Sequence, residues 1–328
     1  MDNKLIISPS PHVHSGFSMT KMMWTVVYAM IPAWLVAIYF FGWGAIYLMG
    51  VSVASCLFFE WAISKYLLKV PATLMDGSAI ITGMLLALNI PTNLPIFMLI
   101  IGSLVAIGIG KLSFGGLGQN PFNPALVGRV FMLISFPAAM TTWPLPKALN
   151  FSLDGSTGAT PLGLIKEGVR NGESVSDLMT QIPPWWELAI GNLGGSMGEI
   201  SALAILLGMF YMLKKYAITW HIPISMILTV FVFSGILHLI NPDLYAGLVF
   251  HLLTGGLMLG AVFMATDLVT SPMTRKGQLL FGIGAGLLTV VIRTWGAYPE
   301  GVSFAILLMN GWVPLINRYM KPSRYGKA

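Results

Sequence analysis

GSAIITGMLLALNIPTNLPIFMLIIGSLVAIGIGK, residues 77–111, decides the fold. It is two apolar, glycine-rich segments, 77–90 and 96–111, separated by the turn signal PTNLP, and it meets its first charge at the closing Lys111. Long apolar runs of this kind belong in hydrocarbon, where the backbone must satisfy its own hydrogen bonds, so helix follows. The rest of the chain agrees. Of its 328 residues, 56% are hydrophobic and 9% charged, and the mean hydropathy is +0.79. A soluble domain carries about 25% charge, so the expected class is an all-α polytopic membrane protein. The 36 glycines and 20 prolines fit it, because membrane helices tolerate both where neighbouring helices satisfy the freed backbone.

Working outward, ten spans are predicted, at about 23–41, 44–64, 77–90, 96–111, 124–139, 199–213, 217–240, 246–266, 278–296 and 301–317. They divide the chain into a cytoplasmic segment 1–22, a first helical half 23–139, a polar extracytoplasmic loop 140–197, a second half 198–317 and a tail 318–328. Charge supports the alternation. Of 18 Lys and Arg, only Lys147, Lys166 and Arg170 fall in outside loops, and Arg129 and Arg293 fall in spans. The others share the side of both termini, as the positive-inside bias requires. The net charge of +6 therefore reports inside loops, and nucleic acid is not an expected partner. No removable signal peptide is read at the N-terminus. Cys56, the single cysteine, can form no internal disulfide, and this chain alone cannot ligate an iron–sulfur centre. The five histidines are not spaced as a metal site.

A weak internal repeat is visible. IGSLVAIGIGK (101–111) parallels IGAGLLTVVIR (283–293), each ending in a base, and TGMLLALNIPTNLP parallels LGAVFMATDLVTSP upstream. The ten-span topology makes the two copies run in opposite directions. Inverted repeats with broken helices frame midplane sites in transporters.

Polar residues inside this frame are the site candidates, each with two readings. FGGLGQNPFNP (114–124) is too polar to face lipid; Asn120 and Asn123 either line a cofactor pocket or ion path, or cap a helix. Arg129 and Arg293 either face an anionic cofactor group or snorkel at a membrane edge. Asp267 is an ion or proton ligand on an ion path, or an interfacial cap, and Asp76 fits a helix N-cap. His251 reads as a packing histidine. Trp143, Trp185, Trp186 and Trp295 fit the aromatic belt.

The 140–197 loop contains DGSTGATPL, residues 154–162. An outside loop of Gly, Ser and Thr is accessible to another protein's active site, and its hydroxyls are candidate acceptors of a modification; the alternative is a plain turn. This segment resembles the Asp-x-x-Ser/Thr-Gly-Ala-Thr flavinylation signature of a known family. Its members are the D subunits of Rnf complexes and the B subunits of sodium-pumping NADH:quinone reductases. Asp154, Thr157, Gly158, Ala159 and Thr160 hold the fixed positions. SPHVHSGFSMTKMM, GGLGQNPFNPALVGRVFM and MATDLVTSPMTRKGQLLFGIGAGLL extend the likeness over most of the chain. The short start resembles the Rnf D subunit more closely than the quinone-reductase B subunit.

The resemblance implies FMN linked through its phosphate to Thr160 in a phosphoester bond, attached by a flavin transferase. It also implies a second, non-covalent flavin such as riboflavin, with Asn120, Asn123 and Arg129 as the guessed pocket. The implied activity is electron transfer between ferredoxin and NAD coupled to Na⁺ or H⁺ movement, as one member of a translocase in the cell (inner) membrane. Implied partners are the A, B, C, E and G subunits of Rnf, above all the FMN-bearing G subunit, with membrane lipid around the chain. The alternatives are a quinone-reducing B subunit, a non-redox channel or transporter, and a structural scaffold.

Overall fold

The computed structural model describes residues 18–71, 73–146, 157–191, 194–199 and 201–322. Each of the ten apolar stretches becomes helix. Five are long and apolar enough to cross a membrane as single rods: Met19–Phe41, Trp43–Leu68, Ile96–Phe114, His221–Ile240 and Arg275–Trp295. In chain order the first half is α1 (Met19–Phe41), α2 (Trp43–Ala62), α3 (Ser78–Leu88), α4 (Ile96–Leu104) and α5 (Pro124–Ser135). Next come α6 (Pro137–Thr141) and a two-residue antiparallel ladder, β1 (Trp143–Pro144) with β2 (Thr157–Gly158). Three short helices follow, α7 (Pro161–Arg170), α8 (Val175–Met179) and α9 (Trp185–Ile190). The second half is α10 (Ala202–Lys214), α11 (His221–Ile240), α12 (Leu248–Leu253), α13 (Leu257–Leu259), α14 (Arg275–Trp295) and α15 (Val302–Tyr319).

Three predicted elements differ. The fifth span, expected to reach 139, stops at Ser135, because Pro137 cannot continue a helix. The eighth, expected to run unbroken over 246–266, is split at Thr254-Gly255-Gly256, where Gly255 takes φ +68. It resumes as α13 and ends in a π-helical turn, Gly260–Met264. The described part of the polar loop carries three short helices, α7, α8 and α9. Leu162 and Ile165 of α7 pack with Val175 and Leu178 of α8 and with Phe250 of α12, forming a small core of their own.

Packing repeats between the halves. α2 lies against α3 and α4, and α11 lies against α12 and α14. α1 packs on α10, and they run antiparallel: Thr20 and Lys21 at the start of α1 share a cleft with Tyr211 and Lys215 at the end of α10. The approach is close. A Cβ on Gly208 would meet the Ala29 carbonyl oxygen at 2.4 Å. α14 crosses α11 in the same manner, with Gly282 and Gly286 set against the Ile222 and Met226 carbonyls. Small residues that let backbones touch are how helices associate where lipid removes the hydrophobic driving force.

Two half-helices meet inside. α3 ends at Asn89, whose Nδ2 donates to the Leu85 carbonyl at 2.8 Å and lies 3.6 Å from Met264 Sδ, at the end of the second half's broken helix. Asn123 Nδ2 donates to the Met264 carbonyl at 3.2 Å. A carbonyl at the end of each half-helix is thus met by a side chain, from its own cap Asn89 in the first and from Asn123 in the second, which lets them stop inside the bundle.

Candidate functional site

One end of the bundle, the loop end, carries the α6–α9 segment and the sequence-predicted acceptor. Thr157 and Gly158 are pinned to Pro144 and Trp143 by the short ladder. Two residues on, Thr160 is the N-cap of α7, and its Oγ1 accepts from Gly163 N at 3.1 Å. Pro161 at the first helical position starts α7, because its fixed φ suits that turn. Thr160 is half-buried, and with Ala159 it lines a cavity of about 310 Å³. Small-molecule pockets begin near 300 Å³. Asp154 lies outside the described residues.

The floor of this cavity is ionic. Arg129, on α5, is 4% exposed. Its Nε donates to the Asn89 carbonyl at 3.2 Å, Nη1 donates to Ser303 Oγ, and Nη2 donates to Glu300 Oε2. Glu199 Oε1 lies 3.7 Å from the same Nη2, too long for a hydrogen bond, and has no hydrogen-bond partner among the described residues. Both carboxylates therefore sit beside one guanidinium nitrogen. Glu300 Oε1 accepts from Gly256 N at 2.8 Å, tying the cluster to the broken eighth helix. Next to it, Arg293 donates Nη1 to the His251 carbonyl at 2.7 Å and Nη2 to the Thr254 carbonyl at 3.0 Å. Arg129 and Arg293 hold buried partners, so neither snorkels.

The opposite end, the tail end, holds a smaller cavity of about 70 Å³. Asn120, Asn123 and Asp267 line it together, with Ser78, Lys111 and Thr266. Asn123 caps α5, accepting from Ala125 N at 3.0 Å. Asp267 Oδ2 accepts from Thr270 Oγ1 at 3.1 Å. Asp76 accepts from the Ser78 amide at 2.9 Å, but the N-cap of α3 is Gly77, so Asp76 stands one residue ahead of the expected cap position. Lys111 Nζ donates to Glu60 Oε1 at 2.7 Å and to Ser78 Oγ at 2.6 Å, with both charged side chains 2% exposed.

The structure thus divides the predicted pocket. Asn120 and Asn123 keep company with Asp267, whereas Arg129 belongs with Thr160 at the other end. One and a half helical turns of α5 carry it away from Asn123. The sequence reading missed Glu60, Glu199 and Glu300 and placed Lys111 in an inside loop. Glu60 carried a readable signal, a carboxylate inside an apolar run. Glu199 and Glu300 did not, since each stands in a stretch that reads as a helix-flanking turn.

Fold and site define a class: an all-α polytopic membrane protein with a hydroxyl-bearing segment opening onto an ionic cavity at one end. Residues 6–326 match the NQR2, RnfD, RnfE family, and the chain belongs to it. It is 44% identical to the D subunit of an ion-translocating oxidoreductase complex of Stutzerimonas stutzeri, over 94% of this chain and 93% of that one. It is 42% identical to the D subunit of a proton-translocating ferredoxin:NAD(+) oxidoreductase complex of Clostridium ljungdahlii, over 99% and 97%. It is 44% identical to a Na(+)-translocating counterpart of Acetobacterium woodii, over 98% and 95%.

Proposed function

We propose that this chain is the membrane flavoprotein subunit of an Rnf-type complex that couples electron transfer between ferredoxin and NAD to Na⁺ or H⁺ translocation, with FMN esterified through its phosphate to Thr160. The observation that carries the reading is the placement of Thr160, half-buried on the wall of a 310 Å³ cavity and presented by the first turn of α7. A phosphoester there leaves the flavin ring free, and the adjoining cavity is of a size to receive it. Bound FMN would supply electron transfer; the chain supplies position and charge. Arg129 at the cavity floor is held in place and compensated by Glu199 and Glu300.

Asn120, Asn123 and Asp267 offer the donors and acceptors a second, non-covalent flavin such as riboflavin would need. Their 70 Å³ cavity is smaller than a flavin ring, so seating one requires the walls to part. The loop end is assigned to the outer face of the cell membrane and both termini to the cytoplasm. The two halves, 23–139 and 198–317, then flank the extracytoplasmic 140–197 segment. The other Rnf subunits, the G subunit foremost at the loop end, and a flavin transferase are the assigned partners.

In-gel flavin fluorescence of the chain, expressed with its transferase, tests the reading. Wild type should fluoresce and Thr160→Ala should not, with Ser176→Ala, on α8 and outside the signature, keeping the band. Flavin that survives Thr160→Ala would refute the attachment, and a wild-type chain without flavin would favour a non-redox transporter.

A further inference from the structure

A third cavity, of about 180 Å³, lies beneath α7 at the loop end, beside the Thr160 cavity and separate in its lining apart from Leu162 and Pro299. Most of its wall is apolar, including Ile165 and Val169 of α7, Ala246, and Phe250 of α12. Leu244 and Trp295, 45% and 58% exposed, place its lip at the bundle surface. Its polar wall is His251, Arg293 and Lys166.

Two polar atoms in that wall are unsatisfied. His251 is 6% exposed and Arg293 4% exposed, and neither His251 Nδ1 nor Arg293 Nε has a hydrogen-bond partner among the described residues. Buried polar atoms are almost always paired, and an orphan costs about 1–3 kcal/mol, so two in one cavity call for a ligand. The guanidinium's outer nitrogens are already held by the His251 and Thr254 carbonyls, which fixes the side chain and leaves Nε as the free donor. Lys166 Nζ donates to the Tyr298 carbonyl at 2.7 Å and the Arg293 carbonyl at 3.1 Å, which holds a second basic side chain in the same cavity wall. No Asp or Glu lines the cavity among the described residues.

We propose that this cavity binds the headgroup phosphate of an anionic phospholipid from the leaflet at the loop end. The phosphate oxygens accept from Arg293 Nε and His251 Nδ1, with Lys166 adding charge, and an acyl chain leaves past Leu244 and Trp295. The apolar wall fits a lipid better than a free anion, and an unpaired Arg293 Nε with Lys166 in a lining without acids fits a lipid anion better than a neutral quinone. Half-burial lowers the pKa of Lys166, and an anion beside it offsets that cost. The lipid also has a positional effect. It fills the space under α7, the helix whose N-cap is Thr160, and Leu162 forms part of both cavities. None of this requires Thr160 to carry a flavin.

Native mass spectrometry of the whole complex, purified from nanodiscs of mixed phosphatidylglycerol and phosphatidylcholine, tests the site. Phosphatidylglycerol should stay with this chain, and millimolar inorganic phosphate should not displace it. Lys166→Gln should weaken retention about fivefold, the worth of one basic residue near an anionic lipid surface, while Lys166→Arg keeps it. Val169→Trp fills the apolar wall without touching a charge and should remove the lipid at unchanged melting temperature. Equal retention of phosphatidylcholine, displacement by phosphate, retained quinone in its place, or retention in both Lys166→Gln and Val169→Trp overturns the proposal.

Discussion

At the scale of single residues, the site is made of charges that sequence alone undervalues. Arg129 and Thr160 were both named from the sequence, by different signals: a base inside a span and a modification signature. Nothing in the sequence showed that they share a cavity, because the segments are joined only through the folded position of α7. Glu300 was illegible for a physical reason. Its burial comes from Arg129 and the Gly256 amide, partners remote in the chain. Removing Arg129 leaves two buried carboxylates uncompensated, so Arg129→Met should cost about 3–5 kcal/mol. Thermal unfolding in detergent measures it, and replacing Glu300 by Gln in the same chain should restore part of the loss. The pair at the tail end allows a cleaner comparison. Glu60→Met and Lys111→Met should each destabilise by a similar amount, whereas the double variant, a well-packed apolar substitute for a buried pair, should come back near wild type. Additive losses would show that the two charges do not support each other.

At the scale of elements, periodicity and apolar length located every helix of both halves, since hydrocarbon leaves a backbone few alternatives. The breaks were less legible. Pro137 ends α5 inside a continuous apolar run, a local cause that hydropathy does not show. The cut in the eighth span falls at Thr-Gly-Gly, which is uncharged and so invisible to hydropathy; its cause is the Glu300 contact to Gly256 and the Arg293 contact to Thr254. The helices of the 140–197 loop were missed because α8 and α9 are too short to show a period. Helix contacts, by contrast, follow from glycine. A Cβ at Gly286 would come 2.7 Å from the Met226 carbonyl oxygen, so the α11–α14 crossing has no room for a side chain. Gly286→Leu should lower stability by about 1–3 kcal/mol or more, as overpacking does. Gly50→Leu, where nothing lies within 4 Å of the added Cβ, should leave the melting temperature unchanged.

At the scale of the molecule, the Asp267 cavity at the tail end and the Thr160 cavity at the loop end each lie beside a buried ionic contact: Glu60–Lys111 at the tail end and Arg129 with Glu199 and Glu300 at the loop end. The bases that end the two repeats sit in comparable places. Lys111 reaches Ser78 at the start of one half-helix, and Arg293 reaches Thr254 just ahead of the other. A charge added to a reducible group at one end of such a low-dielectric bundle attracts a cation from the other, one physical route from redox chemistry to ion movement. That route has a direction only if the ends face different compartments, as in the proposed orientation with the loop end outside. The chain is suited to testing this, because its single cysteine, Cys56, is fully buried and should not react. Arg170 on α7 and Lys276 on α14 are exposed at opposite ends. A membrane-impermeant maleimide added to intact cells should label Arg170→Cys and should reach Lys276→Cys only after the membrane is opened. The reverse pattern would put Thr160 in the cytoplasm, beyond the reach of an extracytoplasmic flavin transferase, and would invert every assignment of side made from charge.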